Sequence, residues 1–210
     1  VIDFLDFPDK TPIILTMPSY QAEVRLLMKS LMARYHEPHR HYHTFAHIQY
    51  GFQRYAELVG DAMRATTFMA WCYHDSVYDP HADDNEDRSA KVFMEDNKIL
   101  GFAMEDTERI VDLILSTTHT GETNVVTDID LSGLGAPLEV YQENTRRIRM
   151  EYSFATAEQW AAGRTAFLKS FIKRAEEGTL YNTREFAAAY TARALDNMKA
   201  EVENNGYFCL

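Results

Sequence analysis

The sequence predicts an all-α protein of about seven or eight helices, and three observations carry that prediction. Apolar residues recur three and four apart in segment after segment, no segment sustains the alternation of a strand, and glycine and proline number only 9 and 6 in 210 residues. At roughly 150 residues per domain, this length points to a single helical domain. It is expected over 19–210, behind an extended N-terminal arm over 1–18.

Pro8, Pro12 and Pro18 make the opening stretch extended, and Ser19 is placed to cap the first helix. Val24, Leu27, Met28, Leu31 and Tyr35 then recur at helical spacing, and Pro38 blocks continuation beyond His36. A second helix is expected from about Thr44 to Val59, with Ile48, Phe52 and Tyr55 on its apolar side and Gly60 as its stop. A third runs from Asp61 through Trp71 to about His74. Asp84 caps a fourth that ends near Gly101, and Asp106 opens a fifth whose apolar face is Ile110, Val111, Ile114 and Leu115. The polar stretch Thr117 to Thr127 reads as a loop, followed by a short segment from Asp128 to Leu134. Three long helical patterns, 137–152, 156–177 and 182–204, complete the chain.

Charge and cysteine content narrow the function classes. With 21 basic against 32 acidic residues, the net charge of −11 repels nucleic-acid phosphates and anionic headgroups. Neither a nucleic-acid polymer nor a membrane is therefore an expected partner. Cys72 and Cys209 are too few for a disulfide scaffold or a thiolate zinc site, and Cys72 sits in an apolar segment suited to a buried free thiol. A reducing, cytoplasmic compartment follows as the expectation. The longest apolar run, Phe68 to Tyr73, falls far short of the ~20 residues that span a bilayer.

Five of the eight histidines lie between His36 and His47. A histidine-rich surface tract binds metal adventitiously, whereas a pair four apart such as His43 and His47 turns both imidazoles to one face of a helix start. His74 and Asp75 adjoin at the end of an apolar helix, where they must be hydrogen-bonded or coordinate something. Asp128 and Asp130 flank Ile129 in the later short segment. Taken together, His47, His74, Asp75 and Asp130 form a mixed nitrogen and oxygen set. It suits one divalent ion, manganese, cobalt, nickel, iron or zinc, with positions left open for water.

Arg40, Tyr42, His43, His47, the run Tyr73-His74-Asp75, Val77-Tyr78-Asp79, Asn85-Glu86, Ser89-Ala90 and Asp128-Ile129-Asp130-Leu131 resemble the HD-domain superfamily of metal-dependent phosphohydrolases. More narrowly, they are similar to its subfamily of predicted HD phosphohydrolases, and Ile148-Arg149, Glu151-Tyr152, Gly163-Arg164, Tyr181, Ala192-Arg193, Asn197 and Glu201 extend the likeness. One departure is Thr44, where the subfamily usually has Asn; it should alter a helix cap more than the metal. The resemblance implies an all-α fold with His47, His74, Asp75 and Asp130 as ligands. Asp128 is the rival for the last place, and Asp130 leads because an apolar residue expected to open a helix, Leu131, follows it.

The resemblance also places Glu86 and Asp79 where carboxylates orient or deprotonate the attacking water. The same residues read as a first-turn acid and a turn terminator before Pro80. An acidic protein needs local positive charge to hold an anion, so Arg40, His43, Arg88 and Lys91 are candidate phosphate contacts. Arg88 and Lys91 read equally as a solvated helix face, and Arg40 as a loop anchor paired to an acid. His119 is a candidate pocket residue or second metal ligand, while His36, His39, His41 and His81 are expected on the surface. Trp71, Phe93 and Tyr152 are expected to pack the core, with the pocket border as the alternative place for Tyr152.

The resulting expectation is a hydrolase that releases phosphate from a nucleotide or similar small phosphorylated metabolite by attack of metal-activated water. Two alternatives are a di-iron oxygenase of the same superfamily, drawing on His81 and His119, and a non-catalytic ligand-binding protein.

Overall fold

The computed structural model describes residues 18–204 and 206, and every regular element among them is helical. In chain order these are α1 (Pro18–Arg34), α2 (Phe45–Leu58), α3 (Ala65–Tyr73), α4 (Asn85–Leu100) and α5 (Met104–Leu115). They continue as α6 (Val125–Leu131), α7 (Leu138–Glu151), α8 (Ala157–Glu176) and α9 (Arg184–Glu203), with 3-10 turns at Ser116–Thr118 and Ser132–Gly135. Of the arm expected over 1–18, residues 1–17 lie outside the described residues, as does Cys209, and Pro18 belongs to α1 instead. Among the described residues no helix is long and apolar enough to cross a membrane.

Several boundaries differ from the sequence reading for identifiable reasons. Pro18 begins α1, so Ser19 falls in its first turn rather than at the cap; a proline is tolerated there because the N–H it lacks would have no helical partner. Left-handed Gly60 and a turn between Asp61 and Met63 delay α3 to Ala65. α5 starts at Met104, which puts Glu105 and Asp106 in the first turn, where negative charge favours the helix dipole. Asp84 and Thr44 occupy N-cap positions, but neither side chain makes a capping bond. The largest change is α6, whose start lies inside the stretch read as a loop. Asn124 accepts from the N–H groups of Val126 and Thr127, and the Thr127 hydroxyl accepts in return from Asn124.

The core is organised around α3. Its sequence is apolar on all sides, and Met69, Ala70, Trp71, Cys72 and Tyr73 are all buried, as expected of a helix with no solvent face. It packs against α4, α5 and α6, while α2 contacts α6 and α8 lies along α9. Burial of Cys72 pushes its thiol pKa upward, consistent with an inert core cysteine.

The approach of α2 to this core is set by Gly51, where a Cβ would come within 2.2 Å of the Trp71 ring and 2.5 Å of Ile129. The Trp71 indole in turn donates to the Ile48 carbonyl at 2.9 Å. Gly51 lies one turn beyond His47, so this contact also places that histidine. Alanine is the better helix former, yet Gly51→Ala is expected to destabilise the protein by about 1–3 kcal/mol through overpacking. Urea unfolding of the variant beside wild type checks the sign.

Candidate metal centre and cavity

α3 ends inside the protein, and its last carbonyls need partners that are not water. The Tyr35 hydroxyl donates to Cys72 O at 2.8 Å, Ser76 N donates to Tyr73 O at 2.9 Å, and His74 Nδ1 lies 2.9 Å from Trp71 O. A carbonyl can only accept, so His74 carries its proton on Nδ1 and, in the neutral ring, turns a lone pair outward at Nε2. Trp71 stacks on the same ring at 4.3 Å between centroids and fixes its plane.

Around that Nε2 the chain brings together the four residues expected from the sequence. Asp75 Oδ2 lies 2.9 Å from His74 Nε2 and 3.8 Å from His47 Nε2, and Asp130 Oδ1 lies 3.2 Å from His47 Nε2 and 3.8 Å from His74 Nε2. One ligand atom each from His47, His74 and Asp130 falls within 4.8 Å of the others. Yet His47 Nε2, His74 Nε2 and Asp75 Oδ2 are all buried with no properly aligned hydrogen-bond partner. Buried polar atoms left unpaired are costly. Imidazole nitrogens and carboxylate oxygens converging on one point fit a divalent cation, and that convergence accounts for all three.

The electrostatics agree. Burial opposes charge on His74, but the carboxylates of Asp75 and Asp130 outweigh it and raise its pKa to about 9. Burial would raise Asp75 and Asp130, but histidines on both sides hold each below the usual carboxylate range. A proton held among these groups does the work that a cation would do, so metal binding should release protons.

The cluster opens into a cavity of about 810 Å³, lined by Asp75 and Asp130, by Glu86, His43 and His119, and on its far sides by α7 and α8. Burial pushes the Glu86 carboxyl up, as do the negative charges of Asp75 and Asp130, against the lowering pull of its own backbone N–H. His43 also reaches the cavity. Its burial is outweighed by the Glu151 carboxylate, 2.7 Å from Nδ1, and the His43 pKa is raised. His119 faces Asp130 with Nε2 2.8 Å from Oδ2, which leaves Asp130 Oδ1 turned to His47 and His74. Its Nδ1 is buried and unpartnered. Trp71 and Phe93 are fully buried, as the sequence reading expects, whereas Tyr152 is only half-buried and lines the cavity, the alternative place for it rather than the core.

Four other expected site residues lie elsewhere. Arg40 is buried and spends its guanidinium on Glu37 Oε2 at 2.9 Å and on the carbonyls of His43, Asp75 and Ser76 at 3.1, 2.8 and 3.4 Å. It therefore holds the histidine loop to the His-Asp turn and has no free face for a phosphate. Asp79 closes a turn through the His81 N–H and the Asn85 amide, on a separate cleft. Arg88 borders that cleft beside Asp84, 3.7 Å away, and Lys91 is exposed on α4. Solvation of long cationic side chains explains both. Asp128, the rival ligand, accepts from Asn182 N at 2.7 Å and Thr183 N at 2.8 Å, so it anchors the entry to α9. Leu131 closes α6 rather than opening a helix. His81 stacks on Phe154 away from the cluster, so of the two extra histidines only His119 is at the site.

Glu151 was not singled out from the sequence as a site residue, yet it clamps the histidine loop. One carboxylate oxygen accepts from the N–H groups of His41, Tyr42 and His43 at 2.7, 2.7 and 2.9 Å, and the other accepts from the Tyr78 hydroxyl at 2.9 Å. Glu201 is similar, ion-paired to buried Arg164 at 2.8 Å. Both acids stand in the last turn of a helix, where the dipole disfavours negative charge. That local conflict is the sequence signal that points to them.

Two predictions follow from these placements. Burial works against it, but His43 and the loop N–H groups hold the Glu151 pKa down at about 2, against an ordinary 4.5. Its stabilisation, on the order of 3 kcal/mol, is complete above the unfolded pKa and is lost as pH falls toward the folded one. Glu151→Gln should lower stability at neutral pH and remove that part of the acid dependence in denaturation curves between pH 2 and 7. Asp130→Asn should lower bound metal in elemental analysis without uncoupling α9. Asp128→Asn should keep the metal and lose about 1–3 kcal/mol, because a buried N–H is left without an acceptor. No protein-family model, no curated protein and no solved structure matches the chain.

Proposed function

We propose that the protein is a metal-dependent phosphohydrolase acting on a nucleotide or similar small phosphorylated metabolite. The observation that carries this reading is the set of unpaired buried atoms on His47, His74 and Asp75, facing Asp130 at the inner end of a cavity large enough for such a substrate. The four residues would hold one divalent ion. Bound there, the ion supplies the Lewis acidity that makes water a nucleophile near neutral pH.

The chain's own groups divide the remaining work. Glu86, a carboxyl with an elevated pKa on the cavity wall, accepts the proton of the attacking water. As the water oxygen bonds to phosphorus, the ester P–O bond breaks, and the proton that Glu86 has taken passes to the departing alkoxide, which leaves as the alcohol. His43, whose pKa is raised by the Glu151 carboxylate against burial, lines the cavity where the phosphate charge would lie. His119 fixes the orientation of Asp130, and Arg40 fixes the backbone on which His43 and Asp75 stand.

The test is elemental analysis of protein purified without added metal, followed by phosphate release from a panel of small phosphate esters. About one divalent ion per chain, with turnover lost in Asp75→Ala and reduced in Glu86→Gln at unchanged metal content, is expected. A protein that binds metal and releases no phosphate from any ester would overturn the hydrolytic reading. Two irons per chain with consumption of dioxygen would replace it with oxygenation.

A further inference from the structure

The part of the cavity built by α7 and α8 has features that metal binding does not require. Ile148 and Trp160 line it, and Phe167 stands at its edge with 41% of its surface exposed. One turn before Phe167, in the middle of α8, comes Gly163. Glycine is among the poorest helix residues, and no packing neighbour demands it here: a Cβ would meet no atom within 4 Å. The contrast with Gly51, which closes a tight helix contact, is complete. At Gly163 the missing side chain leaves open space along the cavity beside an exposed ring.

The charges around that space are equally selective. Arg164 is the one lysine or arginine among the described residues lining the cavity, and its Nε and Nη2 are spent on Glu201 at 2.8 and 3.3 Å. Four carboxylates, on Asp75, Asp83, Glu86 and Asp130, line the same space. Asp75 and Asp130 would offset the charge of a divalent ion and His43 is paired with Glu151, so beside Asp83 and Glu86 the space holds no surplus cation for a chain of phosphates. The side-chain amide of Asn144, also on this wall, has no hydrogen bond to a described residue and is open to the edge of a planar group.

We infer that the α7 and α8 wall is the subsite for the leaving group, and that the substrate is a monophosphate ester of an uncharged alcohol bearing a flat aromatic ring. The ring lies over Gly163 against Phe167. This assignment rests on the phosphohydrolase reading for its chemistry: water adds to phosphorus, the P–O bond to the alcohol breaks, and the alcohol leaves protonated. It adds selectivity against polyphosphates and against small polar esters.

Manganese-loaded protein is compared on 1-naphthyl phosphate, glycerol 3-phosphate and inorganic tripolyphosphate, and calorimetry measures the binding of 1-naphthylphosphonate and methylphosphonate. Naphthyl phosphate should exceed glycerol phosphate in kcat/KM by about tenfold or more, with tripolyphosphate the poorest. Gly163→Phe, which fills the space, and Phe167→Ala, which removes the ring, should each cut that ratio about tenfold. Gly163→Ala should keep it, and circular dichroism and metal content confirm that each variant is folded. Equal efficiencies, preference for tripolyphosphate, or equal losses on every ester would overturn the subsite. If no ester is turned over, tighter binding of naphthylphosphonate that Gly163→Phe weakens sustains the subsite and discards hydrolysis. Indiscriminate phosphonate binding discards the subsite.

Discussion

A helix that ends in the interior leaves carbonyl groups with no water to take them, and the whole candidate centre is arranged around one such end. α3 is apolar on every side and stops beneath other elements, so its final turn has to be completed by side chains. Tyr35 and His74 complete the last turn itself, and Arg40 satisfies the turn that follows. The bond that finishes the helix also decides which nitrogen of His74 is free to bind a ligand, and the arginine that finishes the turn fixes the backbone of Asp75. Fold stability and ligand geometry are thus two results of the same few hydrogen bonds.

The carboxylates show a second economy. Asp128 and Asp130 are two residues apart on a helix, which turns their side chains about 200° from each other. One anchors the start of α9 and the other meets His47 and His119. Glu151 and Glu201 stand against their own helix dipoles because each has a stronger partner elsewhere, a row of backbone N–H groups in one case and Arg164 in the other. In an acidic chain, this placement confines the negative charge that matters to positions where hydrogen bonds or cations hold it.

Helical class was legible because a repeat of three and four is a property of neighbouring residues. The His-Asp doublet was legible for a related reason: two ionisable groups directly after an apolar helix have few harmless explanations. The start of α6 was hidden in a polar stretch, since Asn124 and Thr127 cap it reciprocally without the usual acid. Asp128 and Asp130 could not be separated by spacing alone, because the face each occupies depends on where that short helix begins. The loop-anchor reading of Arg40, paired to an acid, is the one that Glu37 bears out, and Glu151 is marked by its place against a helix dipole. What a sequence does not display is that each also binds backbone groups brought near by folding, since backbone groups leave no mark on composition.

The clamp on the histidine loop also has a place in time. Glu151 lies 108 to 110 positions after the three N–H groups that it receives. During synthesis from the N-terminus, the loop from His41 to His43 is complete long before α7 exists. The nascent chain therefore exposes its densest run of histidines with no carboxylate to order it, and delivery of a metal before α7 emerges would meet a tract able to bind loosely in many ways. Selective loading belongs to the folded chain, when an acid made 108 to 110 positions later has closed on the histidine loop.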